Sequence, residues 1–233
     1  NSTIDPNIAS PLSIVTDTAY LDTSPLTGVY YYFIFAQDIH GNYSPVAITQ
    51  SPLTIFNLTL FIEGFYNSGS NTQVNDTISV QVRNSISPYS IVAQTKGIAG
   101  SNGSSQLLFG NINTGNFYVS VTHRNSIETW SANSIAITSG NTVNYNFSNS
   151  ISQAFGSNMS QVDTSPVRFA VYSGDINQDG TIDAGDLSQV ENDASNSISG
   201  YVSSDLTGDD FADAADLSIV ENNVALGVSV ITP

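Results

Sequence analysis

The strongest constraint on this chain is a duplication within its last third. Residues 175–192 align without a gap with residues 205–222, and ten of the 18 aligned positions are identical. The identities include the acids at places 1, 5, 9 and 12 of each stretch. A repeat of this kind usually means that one structural unit is used twice. We therefore expect two copies of one small unit in this region.

The acids of the chain are concentrated in the same region. The 233 residues carry 20 Asp+Glu against 4 Lys+Arg, a formal net charge of −16, and 12 of the acids lie in residues 170–233, which contain no Lys or Arg. So few cations cannot neutralise a phosphate backbone, which excludes nucleic acid as a partner. No apolar run approaches the roughly 20 residues of a spanning helix, which excludes membrane insertion. The change of composition near residue 170 predicts a domain boundary.

The spacing of the acids in each repeat matches a twelve-place loop that wraps a hard cation. Such a loop supplies side-chain oxygens from places 1, 3, 5, 9 and 12 and a backbone carbonyl from place 7, as Ca²⁺ requires. The ligands predicted for loop 1 (175–186) are Asp175, Asn177, Asp179, the Thr181 carbonyl, Asp183 (directly or through water) and Asp186. The ligands predicted for loop 2 (205–216) are Asp205, Thr207, Asp209, the Phe211 carbonyl, Asp213 and Asp216.

The two loops differ at the turn and at the third place. Gly180 stands sixth in loop 1, where the chain needs a positive φ, whereas Asp210 stands there in loop 2. Thr207 is a weaker ligand than Asn177, so we expect loop 2 to bind less tightly. Two carboxylates about 5 Å apart repel by roughly 3 kcal/mol at an effective dielectric of about 20, and no base lies nearby in sequence. We therefore predict two Ca²⁺ sites, each coupled to folding of its loop.

Each loop runs into a helix signal. Asp183 and Asp213 are candidate N-caps, and Asp186 and Asp216 follow three residues later in the capping-box position. Apolar residues then recur at helical spacing in both repeats: Leu187, Val190 and Ala194, and Leu217, Val220 and Val224. No helix signal precedes either loop, so each unit is predicted to be a loop followed by one helix.

Two such units joined by a short linker resemble the dockerin family over residues 174–226. The resemblance implies a small calcium-dependent helical module that docks to another protein, a cohesin in cellulosome systems. Where that family often carries hydroxyl residues for recognition, this chain has Ala184–Gly185 and Ala214–Ala215. Where the family often has basic residues, it has Glu191–Asn192 and Glu221–Asn222. These departures leave calcium binding intact and make cohesin a doubtful partner.

The residues before the repeat are typical of β-structure. Short runs of alternating apolar and polar residues are separated by clusters of Gly, Asn, Ser and Pro. The predicted strands are Ile55–Glu63, Thr77–Arg83, Ile91–Thr95, Gln106–Phe109, Asn116–His123, Ser134–Ile137, Val143–Phe147 and Val167–Tyr172. The predicted fold is mainly β, with an immunoglobulin-like β-sandwich over 51–169 and a small α-helical, dockerin-like domain over 170–233. The sandwich resembles immunoglobulin- and prealbumin-like modules of secreted bacterial proteins.

Residues 1–50 resemble the second half of a fibronectin type III module. The resemblance is carried by Asp17–Asp22, the tyrosine-rich stretch Thr27–Asp38, and Gly41–Pro45. Strands from half a module would leave an aromatic stripe open to water, which is costly. Either upstream chain completes this module, or a neighbouring subunit donates the missing strands and so builds a fibre.

We find no catalytic motif in the sequence, whether of serine hydrolases, zinc proteases, nucleotide-binding loops or dinucleotide-binding folds. His40 and His123 are expected in surface or packing roles, and Glu128 is placed across a turn from His123. Trp130 is expected in the core rather than in a sugar-stacking surface. We therefore predict a protein that is not an enzyme.

These observations predict an extracellular or cell-surface protein with a structural or adhesive role, stabilised by calcium. Its partner would be a protein, either further copies of itself in a fibre built by strand donation or a surface or scaffold protein. One alternative is the non-catalytic C-terminal portion of a secreted hydrolase, attached to a scaffold or cell surface through the dockerin-like module. A second alternative is a carbohydrate-binding module.

Overall fold

A computed structural model of the chain describes residue 14 and residues 31–44, 47–50, 53–110 and 112–233. Strands dominate the first part of the described chain, and both described α-helices come at its end. The strands are β1 Tyr31–Ile34, β2 Ala47–Gln50, β3 Leu53–Thr59, β4 Tyr66–Asn67, β5 Thr72–Gln73, β6 Asp76–Asn84, β7 Ile91–Ala99, β8 Ser104–Gly110, β9 Gly115–His123, β10 Ser126–Trp130, β11 Ile135–Ile137, β12 Thr142–Asn146, β13 Ser160–Thr164 and β14 Val167–Ala170. The helices are α1 Ala184–Ser195 and α2 Ala214–Leu226.

Two sheets form the β-rich part. One has the order β10-β9-β6-β7, with β11 also paired to β9, and its pairings are antiparallel. The other has the order β12-β3-β8, in which β3 and β8 are antiparallel and β12 runs parallel to β3. Hairpins β4–β5 and β13–β14 lie beside them. The two sheets share one apolar core, so they form the two layers of a sandwich.

Alternation of side chains along the strands builds this core. In β3 and β6 every second residue is buried, because successive side chains of a strand point to opposite faces. The core residues contributed by the two sheets are Phe56, Leu58, Ile78, Val80, Val82, Ala93, Ala99, Leu107, Phe109, Phe117, Val119, Val121, Ile137 and Val143.

A second, smaller core lies under the two helices. Val190 of α1 and Val220 of α2 are fully buried there, with Leu187, Leu217 and Val224 packed around them. The remaining buried members are Ile127, Ile176, Ile182, Leu206 and Val228. Because Ile127 belongs to β10, the sandwich itself supplies part of this second core. Neither described helix is long and apolar enough to cross a membrane.

The predicted fold class, mainly β followed by a small helical C-terminal module, is confirmed. Each of the eight predicted strands overlaps an observed one, with shifted ends: the first is β3 Leu53–Thr59, and the last is β14 Val167–Ala170. Strand β10 was missed because polar Ser126 and Thr129 occupy buried positions in it, so its sequence does not alternate between apolar and polar residues. The polar strand β13 and the two-residue strands β4 and β5 were missed as well.

Residues 1–50, for which a fibronectin type III-like module is predicted, are described in part. Strand β1 pairs with β2 in a two-stranded antiparallel sheet. A turn follows β1, in which the Asp38 carboxylate accepts hydrogen bonds from the backbone N–H groups of His40 (2.8 Å) and Asn42 (2.9 Å). The stretch Asp17–Asp22, which contributed to the resemblance, lies outside the described residues.

Two adjacent leucines on β8 provide a matched test of the sandwich core. Leu107 is buried and Leu108 is half exposed on the opposite face. Leu107→Ala should lower the free energy of unfolding by about 2–5 kcal/mol, because it removes buried methyl groups and leaves a cavity. Leu108→Ala should change it by no more than about 0.5 kcal/mol. Urea unfolding can be followed through the fluorescence of Trp130, the chain's one tryptophan; equal effects would contradict the two-layer core.

Candidate metal centre

The last acid of each loop is fully buried and faces the backbone of its own loop. The Asp186 carboxylate accepts hydrogen bonds from the backbone N–H groups of Ile176 (2.8 Å), Asn177 (3.1 Å) and Asp183 (3.0 Å). The Asp216 carboxylate accepts the three equivalent bonds in the second repeat, at 2.8, 2.9 and 2.8 Å. Each of these carboxylates therefore ties the start of its loop to the N-cap of the following helix.

The first acid of each loop is buried as well. Asp175 is 3% exposed and accepts the N–H groups of Asp179 (3.1 Å) and Gly180 (3.2 Å). Asp205 is 1% exposed and accepts the N–H groups of residues 208, 209 and 210 at 2.7, 3.2 and 3.3 Å. The same fold of the loop is thus built twice around a carboxylate at place 1.

The predicted ligands at places 3 and 5 lie nearer the loop surface. In loop 1, Asn177 accepts the N–H of Asp179 (2.8 Å) and donates its amide to the Asp179 carboxylate (2.9 Å). In loop 2, the hydroxyl of Thr207 donates to Asp205 at 3.5 Å. The acids at place 5 also close the turn: Asp179 accepts the N–H of Thr181, and Asp209 the N–H of Phe211, each at 3.0 Å.

The acids at place 9 begin the helices. Asp183 accepts the N–H of Gly185 at 2.7 Å, and Asp213 accepts the N–H of Ala215 at the same distance. Both are N-caps of complete capping boxes with the acid three residues later, as the sequence predicts. The charge of each carboxylate also favours the positive end of its helix dipole.

The sharp turn at place 6 has a left-handed backbone in both loops. Gly180 has φ +90° and Asp210 has φ +70°. Aspartate tolerates this region better than most residues, at some cost relative to glycine. The substitution in loop 2 therefore preserves the turn.

Short backbone pairings hold the exits of the loops. The N–H of Ile182 donates to the Val228 carbonyl (2.9 Å), and the N–H of Val230 donates to the Gly180 carbonyl (2.8 Å). Residues 198–200 pair with 210–212 of loop 2 in the same way. Thr181 and Phe211, whose carbonyls are the predicted ligands, are the central residues of these two pairings.

Burial destabilises the charged form of two loop acids. Burial, and then the neighbouring Asp186 carboxylate, raise the pKa of Asp175 to about 6. Burial also raises the pKa of Asp216. A divalent cation would reverse this preference, because an opposite charge stabilises the ionised carboxylate.

The predicted ligands are of the type that a hard cation prefers. In this structure their side chains form hydrogen bonds with the loop backbone. Every predicted ligand is a carboxylate, amide, hydroxyl or carbonyl oxygen, the type that Ca²⁺ prefers. In the part of the chain that the structure describes, no three His, Asp or Glu side chains come together as a metal-binding group. The carboxylates at places 1 and 12 are buried inside their loops and accept backbone N–H groups there.

Sequence reasoning missed the contact between loop 2 and the sandwich. Asn125 donates its side-chain amide to the Asp205 carbonyl (2.8 Å), and Arg124 lies 3.5 Å from the Asp205 carboxylate. No base lies near Asp205 in the sequence, but the fold brings one from a distant strand end. No periodic pattern marks such a pairing in advance.

The residues considered for catalysis or sugar binding have other partners. His123 is buried and lies 3.0 Å from the Asp76 carboxylate, whereas Glu128 pairs with Arg83 at 2.9 Å. Hydrogen bonds from His123, Tyr201 and Arg124 lower the pKa of Asp76 although its burial opposes this. Trp130 is 3% exposed, with the Arg83 guanidinium stacked at 4.6 Å from its ring centre, so it lies in the core as expected.

The comparisons with known proteins identify the C-terminal region. Residues 173–225 match the family model of the dockerin type I domain, and this region is therefore dockerin-like, preceded by a β-rich module. Dockerin domains are generally calcium-binding and non-catalytic. No protein with a curated description matches the chain.

Two solved structures are similar to the chain, and both are mutant type II cohesin–X–dockerin complexes from Acetivibrio cellulolyticus. The N-terminal interface mutant is 15% identical, with a TM-score of 0.41, and the match covers 74% of this chain and 94% of that one. The C-terminal interface mutant is 16% identical, with a TM-score of 0.44, covering 73% and 94%.

The expectation that cohesin is a doubtful partner is not borne out. It rested on Ala184–Gly185, Ala214–Ala215 and the acidic residues further along each helix. The segment that contains these departures matches the dockerin type I model nonetheless. The departures therefore give no ground for setting cohesin aside.

The raised pKa of Asp175 predicts how the metal-free helices respond to pH. In chelator, the Asp175 carboxyl is protonated to a greater extent in the folded than in the unfolded chain between its ordinary pKa of 3.8 and its folded pKa of about 6. The melting temperature of the helical circular-dichroism signal should therefore rise as the pH falls from 7 to 5. Asp175→Asn should remove this contribution, since it has no proton to bind. A wild-type melting temperature that stays constant or falls over this range would contradict the prediction.

Proposed function

We propose that this chain is a non-catalytic extracellular module that binds two Ca²⁺ ions and attaches to a protein partner through its helices. The observation that carries the proposal is the duplicated loop: equivalent buried carboxylates accept equivalent backbone N–H groups in both repeats. The match of residues 173–225 to the dockerin type I domain supports both the metal and the docking role.

Calcium is supported by the electrostatics of the loops. Each loop holds four aspartates at its predicted ligand places, and residues 170–233 contain no Lys or Arg. Self-repulsion of these acids opposes folding, and a divalent cation relieves it. In this proposal the ligands are the twelve residues predicted from the spacing, with Thr181 and Phe211 contributing backbone carbonyls. Mg²⁺ fits less well, because it retains its waters and requires a tighter octahedron.

The proposed docking surface is the exposed face of the two helices. The same residue types are exposed at equivalent places of α1 and α2: Ser188 and Ser218, Glu191 and Glu221, Asn192 and Asn222. A duplicated surface with no apolar core role is suited to a partner rather than to internal packing. Because the segment matches the dockerin type I domain, a cohesin is the partner to test first.

The division into domains is part of the proposal. Residues 1–50 are a partial fibronectin type III-like module, 51–169 the sandwich and 170–233 the dockerin-like domain. Two settings follow: a subunit of a surface fibre built by strand donation, or the non-catalytic part of a larger secreted hydrolase. Electron microscopy of the native protein tests the fibre setting, which predicts helical polymers. The full-length reading frame tests the hydrolase setting, which predicts a catalytic domain in the same protein.

A carbohydrate-binding role has less support. Trp130, the aromatic residue considered for sugar stacking, is buried beside Tyr89 and Tyr118. A glycan array without any binding would remove this alternative.

Calorimetry tests the metal sites directly. Titration of the chelator-treated chain with Ca²⁺ should show two sites, and Asp175→Asn should remove one of them because it deletes the buried acid of loop 1. Glu191→Gln is the matched control, since it removes a charge from the exposed face of α1 and should leave both sites. Absence of calcium binding by the wild-type chain would refute this part of the proposal.

Binding to an immobilised cohesin domain tests the docking role. We expect binding in Ca²⁺ that disappears in chelator and weakens at least about tenfold in the double variant Ser188→Arg, Ser218→Arg, because bulky cations would occupy the contact surface. Gln94→Arg, on an exposed position of β7, should bind like the wild type. If the chain binds calcium but no cohesin, the proposal that it attaches to a scaffold is wrong and the fibre setting is favoured.

A further inference from the structure

One sandwich arginine bridges the two parts of the chain. Arg124 follows β9, and its Nε donates to the Asp76 carboxylate at 2.9 Å while its Nη2 donates to the Asp205 carboxylate of loop 2 at 3.5 Å. Asp76 begins β6. The guanidinium therefore connects an acid of the sandwich to the first acid of loop 2.

The surroundings of this guanidinium exclude most of the solvent. The side chain of Arg124 is 15% exposed, and those of its acid partners Asp76 and Asp205 are 5% and 2% exposed. The ring of Tyr201 lies 4.4 Å from the guanidinium carbon and that of Phe65 lies 5.5 Å away. Charges held in place with so little water interact more strongly than surface pairs, and breaking such a contact is correspondingly costly.

Further contacts press loop 2 against the same region. Asn125 donates to the Asp205 carbonyl at 2.8 Å. A Cβ added to Gly64 would collide with the Leu206 carbonyl oxygen, so the loop backbone rests directly on the sandwich. Gly208 lies close to Val74 of the sandwich, which a Cβ added to this glycine would approach to 3.1 Å.

Loop 1 has no equivalent cation. Among the ion pairs of the described residues, Arg124–Asp205 is the one that reaches a loop acid. The Asp175 carboxylate accepts two backbone N–H groups where that of Asp205 accepts three. Gly180 of loop 1 faces the helical module, since an added Cβ there would meet Val230.

We propose that Arg124 is a positioning residue for loop 2: it acts as a built-in counter-cation that keeps this loop folded before calcium binds. The inference rests on the proposed calcium function of the loops. It makes the two sites unequal, because loop 1 needs the metal to offset its acids whereas loop 2 is partly neutralised by the sandwich. Calcium entering loop 2 must share Asp205 with a guanidinium that is already there.

Hydrogen exchange on the whole chain in chelator tests this asymmetry. The amides of residues 208–210, which donate to Asp205, should be protected, whereas those of Asp179 and Gly180, which donate to Asp175, should exchange rapidly. Arg124→Gln should lower the protection of residues 208–210 by about tenfold or more, since it removes a charged hydrogen bond. Added Ca²⁺ should restore that protection. Arg124→Lys keeps the cation but cannot bridge two acids as a guanidinium does, so it should give an intermediate result.

The matched control is Arg83→Gln. Arg83 is also partly buried, also stacks on an aromatic ring and also pairs with an acid, Glu128, but it contacts neither loop. Its loss should leave the protection of both loops unchanged. Amides of β6 and β9 serve as the internal measure that each variant is folded.

Two results would overturn the inference: equal exchange of the two loops in the wild-type chain, or unchanged protection of loop 2 in both Arg124 variants. Failure of the proposed function is a different result. It would appear as no change in either loop when Ca²⁺ is added, while the effect of Arg124→Gln in chelator persists.

Discussion

The helical module depends on one interaction that occurs twice: a buried carboxylate that accepts three backbone N–H groups. Asp186 and Asp216 satisfy donors at the start of the loop and at the helix N-cap with a single side chain each. A buried charge is tolerated when its hydrogen bonds are complete. The direction of each helix, the position of its cap and the curvature of its loop all follow from this arrangement.

The module is too small to supply all of its own core. A domain of about 60 residues buries a smaller share of its unfolded chain's surface than a larger domain does, and is marginally stable by itself. The sandwich compensates through Ile127, which joins the core beneath the helices. The buried amide of Asn223 in α2 also donates to the Glu63 carboxylate of the β-rich part (2.6 Å) and to the Ser173 carbonyl (2.7 Å). The two parts of the chain are therefore joined by apolar packing and by buried polar contacts.

Local features of this fold could be predicted from the sequence, and contacts between distant residues could not. The caps at Asp183 and Asp213 were predictable because capping depends on residues three positions apart, and the strands of the sandwich because alternation is a local property. The sequence contains no local pattern that predicts the parallel pairing of β12 with β3. It also contains none that predicts the approach of Arg124 to Asp205, since a single arginine after a strand is compatible with many surroundings. The oxygen ligands of the loops remain a prediction from spacing, supported by the donor types and by the burial of the acids at places 1 and 12.

The pairing of residues 228–230 with loop 1 brings the end of the helical module back to its beginning. The hydrogen bonds from Ile182 to Val228 and from Val230 to Gly180 join segments that lie on either side of both helices in the sequence. Beyond them, Ile231 lies against Gly156 of the β-rich part, 2.8 Å from an added Cβ. Mechanical tension between these two ends would load this isolated antiparallel bridge before it reached either helix. The helices would then keep their shape under a pull that this bridge resists.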